Sequence, residues 1–248
     1  LQDGLKTTSW CSTLFLLAST YDQDMHANPN NPSATNGTDQ AWGGNRARPD
    51  LVKKFFPTGN VPNLESYATA EAAGDDRALF CGVNRTLDNE DVSTFKSGFG
   101  VAKFTNFKTD GSAGHDATFP DADYFLMRAA EAYLNFAEAD ARLNGGETTA
   151  EGTAAINAIR KRANATTRED KGYSLNDICD EWSREFYFEG RRRMDLIRFN
   201  RYGGNVNYNW QWKGGTKEGR NFSKDLNIFA IPTNELTSNK NLIQNPGY

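Results

Sequence analysis

Glu185 and Glu189 stand one helical turn apart, and Arg192, Arg193, Asp195 and Arg198 follow directly after Gly190. Paired carboxylates beside arginines suit general acid/base work or anion binding, and equally a structural ion-pair network at a helix corner. No histidine neighbours them in the sequence, which favours the structural network. Asp75 and Asp76 form a second carboxylate pair. Glycoside hydrolysis needs two carboxyls set apart across a substrate, so adjacent acids followed by Arg77 read as an ion pair or turn. A third constellation lies in the aperiodic, Asn-, Asp-, Gly- and Pro-rich stretch from Tyr21 to Asn45. There Tyr21, His26 and Trp42 alternate with Asn28, Asn30, Asn31 and Asn45. Aromatic faces stack on sugar C–H surfaces while amides bond hydroxyls, so this loop suits a carbohydrate; a polar surface loop anchored by Trp42 is the plainer alternative. Asp22, Asp24 and Asn28 carry oxygen ligands, but their spacing does not fit a calcium loop, and no metal site or cofactor is expected.

These groups need elements to hold them. Asp123–Leu143 reads as one amphipathic helix, capped by Asp121 or Asp123. Phe125, Leu126, Ala129, Tyr133, Phe136, Ala137 and Leu143 make its apolar stripe, and Arg128, Glu131, Asn135, Glu138 and Arg142 its polar face. Its many alanines permit close helix approach. Gly145-Gly146 ends this helix, and Thr148-x-x-Glu151 reads as a capping box opening a second, which buries Ala155, Ile156, Ile159 and Ala163. The pair resembles one tetratricopeptide unit, without a second copy at a fixed period. Such a hairpin cannot cover its own apolar face, so the chain is expected to be incomplete as a stable unit. A third helix starts at Ser174 with Asp177 as capping acid and runs to Gly190. It sets Ile178, Trp182, Glu185 and Glu189 near one line, where the acids need cationic partners if buried. A short helix after Pro49, a strand in Val101–Phe107, an aromatic Gly-rich loop over Tyr202–Phe222 and a strand at Leu226–Pro232 complete the reading, with a loop-like tail.

The 248 residues carry a net charge of -4, with basic residues scattered among acids, which argues against a nucleic-acid partner. Apolar runs are too short to span a bilayer as a helix. Cys11, Cys81 and Cys179, odd in number and widely spaced, read as free, buried thiols.

Several segments, in order, resemble the SusD/RagB family. They are GGNRARPDLVKKFF, GDDR, DYFLMRAAEAYLNFAEA, AAINAIRKRA, REFYFEGRRRMDLIRF, NWQWKGG and IFAIPTNELTSNKNLIQNPGY. The resemblance implies a mainly α fold of tetratricopeptide-like hairpins with long irregular loops and a few short strands. It divides the chain into a loop-rich region over 1–120, a helical scaffold over 121–200 and a C-terminal loop and strand over 201–248. It also implies a C-terminal half of a longer protein whose absent N-terminal part carries the lipid anchor, placing the protein on the extracellular face of the outer membrane. The implied role is non-catalytic capture of an oligosaccharide or other nutrient for a SusC-like TonB-dependent transporter. A helical-repeat protein-interaction module and a glycoside hydrolase are the alternatives. Within the resemblance, Glu185, Glu189, Arg192, Asp195 and Arg198 are structural, Trp210 and Trp212 belong to a shared motif, and Tyr21, Trp42, Asn45 and Arg46 are the expected ligand contacts. Trp182 departs from the family pattern, which has Arg after the acid at Glu181.

Overall fold

The computed structural model describes residues 46–94, 96–112, 114–116, 125–204 and 207–248. The chain divides into two compact units, Leu1–Glu189 and Gly190–Tyr248.

In the first unit, Pro49 opens helix α1 (Pro49–Val52), where a missing N–H costs nothing, and a 3-10 turn over Lys53–Phe55 continues it. Helix α2 (Ser66–Ala73) stops at Gly74, whose left-handed φ of 59° lets its N–H reach the carbonyls of Ala70 and Glu71. Strands β1 (Phe80–Cys81) and β2 (Gly100–Val101) pair antiparallel, Phe80 opposite Val101. The strand expected over Val101–Phe107 thus shrinks to its first residue plus Gly100. Around this ladder a core forms from Val52, Phe55, Phe80, Phe99, Val101 and Tyr187. Phe80 packs against Phe55 and Tyr187 at ring-centre separations of 5.5 and 5.2 Å.

Three helices make the rest of this unit: α3 (Ala129–Leu143), α4 (Ala150–Arg162) and α5 (Leu175–Phe186), with α4 and α5 both packed on α3. Helix α3 starts later than expected. Arg128 is extended at φ -134°, ψ 151°, because its guanidinium is drawn into ion pairs with Glu185 and Glu189 and lies 4.2 Å from the centre of the Phe186 ring. The buried stripe also differs. Ala130, Leu134, Ala137, Glu138 and Ala141 face inward, whereas Tyr133, Phe136 and Leu143 are exposed. Glu138, assigned from sequence to the polar face, is buried because Trp182 Nε1 and Arg142 both donate to it. Tyr133 and Phe136 instead line an open apolar groove of about 460 Å³ with Ala132, Ala154 and Ala155.

The capping box expected at Thr148 does not form. Thr148 is buried, its hydroxyl bonded to Thr153 Oγ1 and to the Tyr173 N–H, and the helix starts from Thr149. Asp140 supplies the anchor from across the hairpin, accepting from the Thr149 N–H and hydroxyl. At α5 the sequence reading holds: Ser174 and Asp177 form a reciprocal capping box. The helix ends at Phe186, short of Gly190. Cys81 and Cys179 are buried thiols, and Cys81 donates to Glu65 Oε2; Cys11 lies outside the described residues.

The second unit opens with α6 (Arg192–Arg198). Lys213 is buried there, donating to the carbonyls of Arg201 and Tyr208 and to Asn221 Oδ1, with its Nζ 4.7 Å from the Trp210 ring centre. Trp212 takes a left-handed φ of 68° ahead of Gly214 and Gly215. Leu226–Pro232 forms no paired strand. A 3-10 turn covers Lys224–Asn227, and tail side chains take the backbone groups beyond it: Gln244 bonds both N–H and C=O of Ile231, Asn245 the Phe229 carbonyl and Tyr248 the Ile228 carbonyl. A helix absent from the sequence reading, α7 (Thr233–Ser238), follows Pro232.

Candidate functional site

The glutamate pair and the Asp75–Arg77 stretch lie within the described residues, and one buried network joins them. In the first, Glu181, Glu185 and Glu189 project from α5 and its C-terminal extension at i, i+4 spacing. Glu181 and Glu185 are completely buried. Burying a carboxylate costs several kcal/mol unless charge and hydrogen bonds return it, roughly, and both acids are met by arginines. Arg77, 2 % exposed, bonds Asp75 through Nε and Nη2, Glu181 at 2.7 Å and Glu185 at 3.1 Å. Arg160 and Arg184 each reach Glu181 at 2.7 Å, and Arg128 and Arg162 each reach Glu185 at 2.7 Å. Glu189 accepts from Arg128 and from Lys103, whose Nζ also bonds the carbonyls of Glu185 and Tyr187 at the end of the helix.

Electrostatics follow from this arrangement. Burial alone would raise the Glu181 carboxyl, but Arg184, Arg77 and Arg160 outweigh it and hold the group far below the ordinary carboxylate range. Glu185 is lowered in the same way, burial being overcome by Arg162, Arg77 and Arg128. Lys103 is pushed down to about 8 by burial, against the pull of Glu189. Every acid of the cluster is met by cations, and neither Glu181 nor Glu185 opens to solvent. A general acid needs a raised pKa and access to substrate, so the arrangement fits a scaffold rather than an acid/base pair.

Of the other residues singled out with this pair, Arg192, Asp195 and Arg198 lie in the second unit. Arg192 donates to the Tyr208 hydroxyl. Arg198 approaches Asp195 to 2.9 Å, and burial raises the Asp195 carboxyl in spite of Arg198, Arg191 and Arg192. Lys103, Arg128, Arg160, Arg162 and Arg184 escaped the sequence reading as network members; Glu181 entered it only as the acid before Trp182 in the family pattern, and Arg77 only as a partner of the acids beside it. One signal pointed to Glu181: it precedes Glu185 by the interval that separates Glu185 from Glu189.

The third constellation is the candidate ligand loop. Tyr21, Trp42 and Asn45, and with them Asp22, Asp24 and Asn28, lie outside the described residues. Arg46 is its described end. Its guanidinium donates to the Thr94 carbonyl, and Ala47 beside it pairs with Phe99. Burial and the neighbouring Arg85 lower the Arg46 pKa, while Asp91 works the other way. Among the described residues no group of three or more His, Cys, Asp or Glu is placed to hold a metal ion, and no helix is long and apolar enough to cross a membrane.

The sequence profile of the SusD family matches residues 65–248, which takes in the buried network and the whole second unit. This chain belongs to the SusD family. A curated SusD relative, the starch-binding protein SusD of Bacteroides thetaiotaomicron, is 36% identical over 100% of this chain and 48% of its own length. The chain therefore spans about half the length of that relative. Among solved SusD-like structures, one from Bacteroides fragilis has a TM-score of 0.57 at 21% identity, covering 85% of this chain and 48% of that one. A laminarin-binding SusD-like protein has a TM-score of 0.50 at 23% identity, covering 85% and 40%. Those two likenesses concern the fold, which is mainly helical with short strands.

Proposed function

We propose that this chain serves in non-catalytic glycan binding at the cell surface, capturing an oligosaccharide at the outer membrane and passing it to a SusC-like TonB-dependent transporter. The observation that carries this reading is the 36% identity to a starch-binding SusD protein in an alignment that covers the entire chain. The chemistry of that loop agrees with it: aromatic rings for stacking, amides for hydroxyls and few charges near Trp42, which suits a neutral sugar. The helices act as a tetratricopeptide-like scaffold. The buried Glu181–Glu185 network locks that scaffold and takes no part in recognition.

Titration calorimetry of the chain with maltoheptaose, a neutral starch fragment, tests the reading. Trp42→Ala should weaken binding by more than about 1 kcal/mol while leaving the melting temperature in place, as for a stacking contact that dominates a small site. Equal affinity in variant and parent removes Trp42 from the site, and a lowered melting temperature makes it a scaffold residue. Release of shorter sugars during incubation would point to a hydrolase instead.

A further inference from the structure

The turn that ends α5 is held in a form its own residues do not favour. Phe186 to Glu189 closes a β-turn, the Glu189 N–H donating to the Phe186 carbonyl at 3.1 Å. Tyr187 at φ -60°, ψ 142° followed by Phe188 at φ 60° makes it type II. Such a turn asks for glycine at the position of Phe188, because a Cβ meets the backbone in the left-handed region. In type I the same residues keep their ends and Tyr187 keeps its φ. Only the peptide plane between Tyr187 and Phe188 is turned over, which takes Phe188 to negative φ. Neither proline nor glycine lies among Tyr187, Phe188 and Glu189 to oppose that form, which would carry α5 on by a further turn.

Lys103 supplies what holds the strained form. Its side chain is buried, and its Nζ donates to the Tyr187 carbonyl at 3.0 Å, to the Glu185 carbonyl at 2.9 Å and to Glu189 Oε1. Three N–H groups thus meet three acceptors, and one acceptor is the carbonyl of the peptide that would turn over. Turning that plane takes the Tyr187 carbonyl away from Nζ and brings the Phe188 N–H round towards it. An ammonium has no lone pair to receive an N–H, whereas a neutral amine has one. The Tyr187 side chain stays where it is throughout, its ring on Phe80 and its hydroxyl on the Arg77 carbonyl. The other charged and titratable groups that face Lys103 are the Glu185 and Glu189 carboxylates, Arg128 and the Tyr187 phenol.

We propose that the Tyr187–Phe188 peptide is a proton-controlled switch: the Lys103 ammonium holds it in the type II turn, and the neutral amine lets it turn over into type I. Burial pushes Lys103 down to about 8, which brings the change within reach of mildly alkaline water. The facing groups keep their charge while Lys103 loses its proton. Arg128 is raised, burial being overcome by Glu189 and Glu185, and Glu185 is lowered, burial being overcome by Arg162, Arg77 and Arg128. Burial raises the Tyr187 phenol.

Nuclear Overhauser contacts in the full chain, labelled selectively at tyrosine and phenylalanine, read the turn. In type II the Tyr187 Hα lies against the Phe188 N–H, and in type I the two amide protons lie against each other. As pH rises from about 6 to about 10, the first contact should give way to the second with a midpoint at about 8, while the amide signals within α5 stay in place. Lys103→Arg keeps a donor and does not titrate, so it should hold type II throughout. Phe188→Gly leaves every ion pair in place and favours the left-handed residue about tenfold, so it should raise the midpoint by about one pH unit. A contact pattern in the parent that ignores pH overturns the switch. So does a swap that survives in Lys103→Arg, or a midpoint that Phe188→Gly leaves unmoved.

Discussion

Arg77→Met removes a guanidinium from the centre of the buried network while keeping an apolar stem of similar length. Its charge-assisted bonds go to three carboxylates, and the consequences differ among them. Glu181 keeps Arg160 and Arg184, and Glu185 keeps Arg128 and Arg162. Asp75, 5 % exposed, loses both guanidinium bonds and retains the Arg77 backbone N–H. Removing one partner of a buried ion pair costs roughly 3–5 kcal/mol. The surviving arginines place this substitution at the low end, about 3 kcal/mol. For a unit of this size that lowers the melting temperature by about 6–12 °C. Urea denaturation followed by tryptophan fluorescence reads the same quantity as a shift of midpoint at constant slope. Combining Arg77→Met with Asp75→Asn should cost clearly less than the sum of the two, since the first variant has already broken the bond. A loss below about 1 kcal/mol, or strict additivity with Asp75→Asn, would refute the claim that this guanidinium holds the first unit together.

Acid should undo the same network. Glu181, Glu185 and Asp177, the last at about 2, all have folded pKa values below their unfolded ones, so the unfolded chain binds more protons in acid. Their stabilisation is complete above the ordinary carboxylate range and is lost as pH falls from about 5 toward 2; a melting temperature that stays flat over that interval contradicts it. Glu189→Ala leaves Lys103 and Arg128 partly unpaired in a buried setting and should cost about 3 kcal/mol, seen as a lower melting temperature with unchanged maltoheptaose affinity. Gly152→Ala should destabilise despite the gain of about 1 kcal/mol expected for alanine in a helix, because its Cβ would lie 2.1 Å from the Asp140 oxygen that anchors Thr149. A more stable Gly152→Ala protein would show that this anchor is dispensable.

Local signals were legible wherever the deciding atoms are neighbours in sequence. The Ser174–Asp177 box, the Pro49 start and the Gly145-Gly146 turn are of this kind, as is the Asp75–Arg77 pair. The sequence reading failed where a distant partner decides. Apolar periodicity put Tyr133 and Phe136 inside, but α5 reaches α3 on the side of Leu134 and Glu138, and Trp182 supplies the hydrogen bond that lets an acid be buried there. Nothing near Arg128 in the sequence announces that Glu185 and Glu189 will keep it extended. Extended backbone at Ile228–Ile231 looked like a strand because its residue types favour one, yet amide side chains from the tail occupy the positions of a neighbouring strand. For the ligand loop, the residue types suggested a sugar, whereas the partner of Arg46 came from a loop far along the chain.

The separations within the buried network also bear on how the chain reaches its native state. Arg77 meets Glu181 and Glu185 across 104 and 108 residues, Lys103 meets Glu189 across 86, and Arg128 meets Glu185 across 57. Contacts of such range close slowly, because loop entropy is spent before any bond is made. Cations close by in the sequence reach the same acids: Arg160 and Arg184 pair with Glu181 and Arg162 with Glu185. Glu181 and Glu185 therefore have local partners from α4 and α5 themselves, whereas their full complement of positive charge is assembled only when the segments around Arg77 and Arg128 are also in place. The last helix of the first unit is in this way tied electrostatically to parts of the chain far from it in sequence.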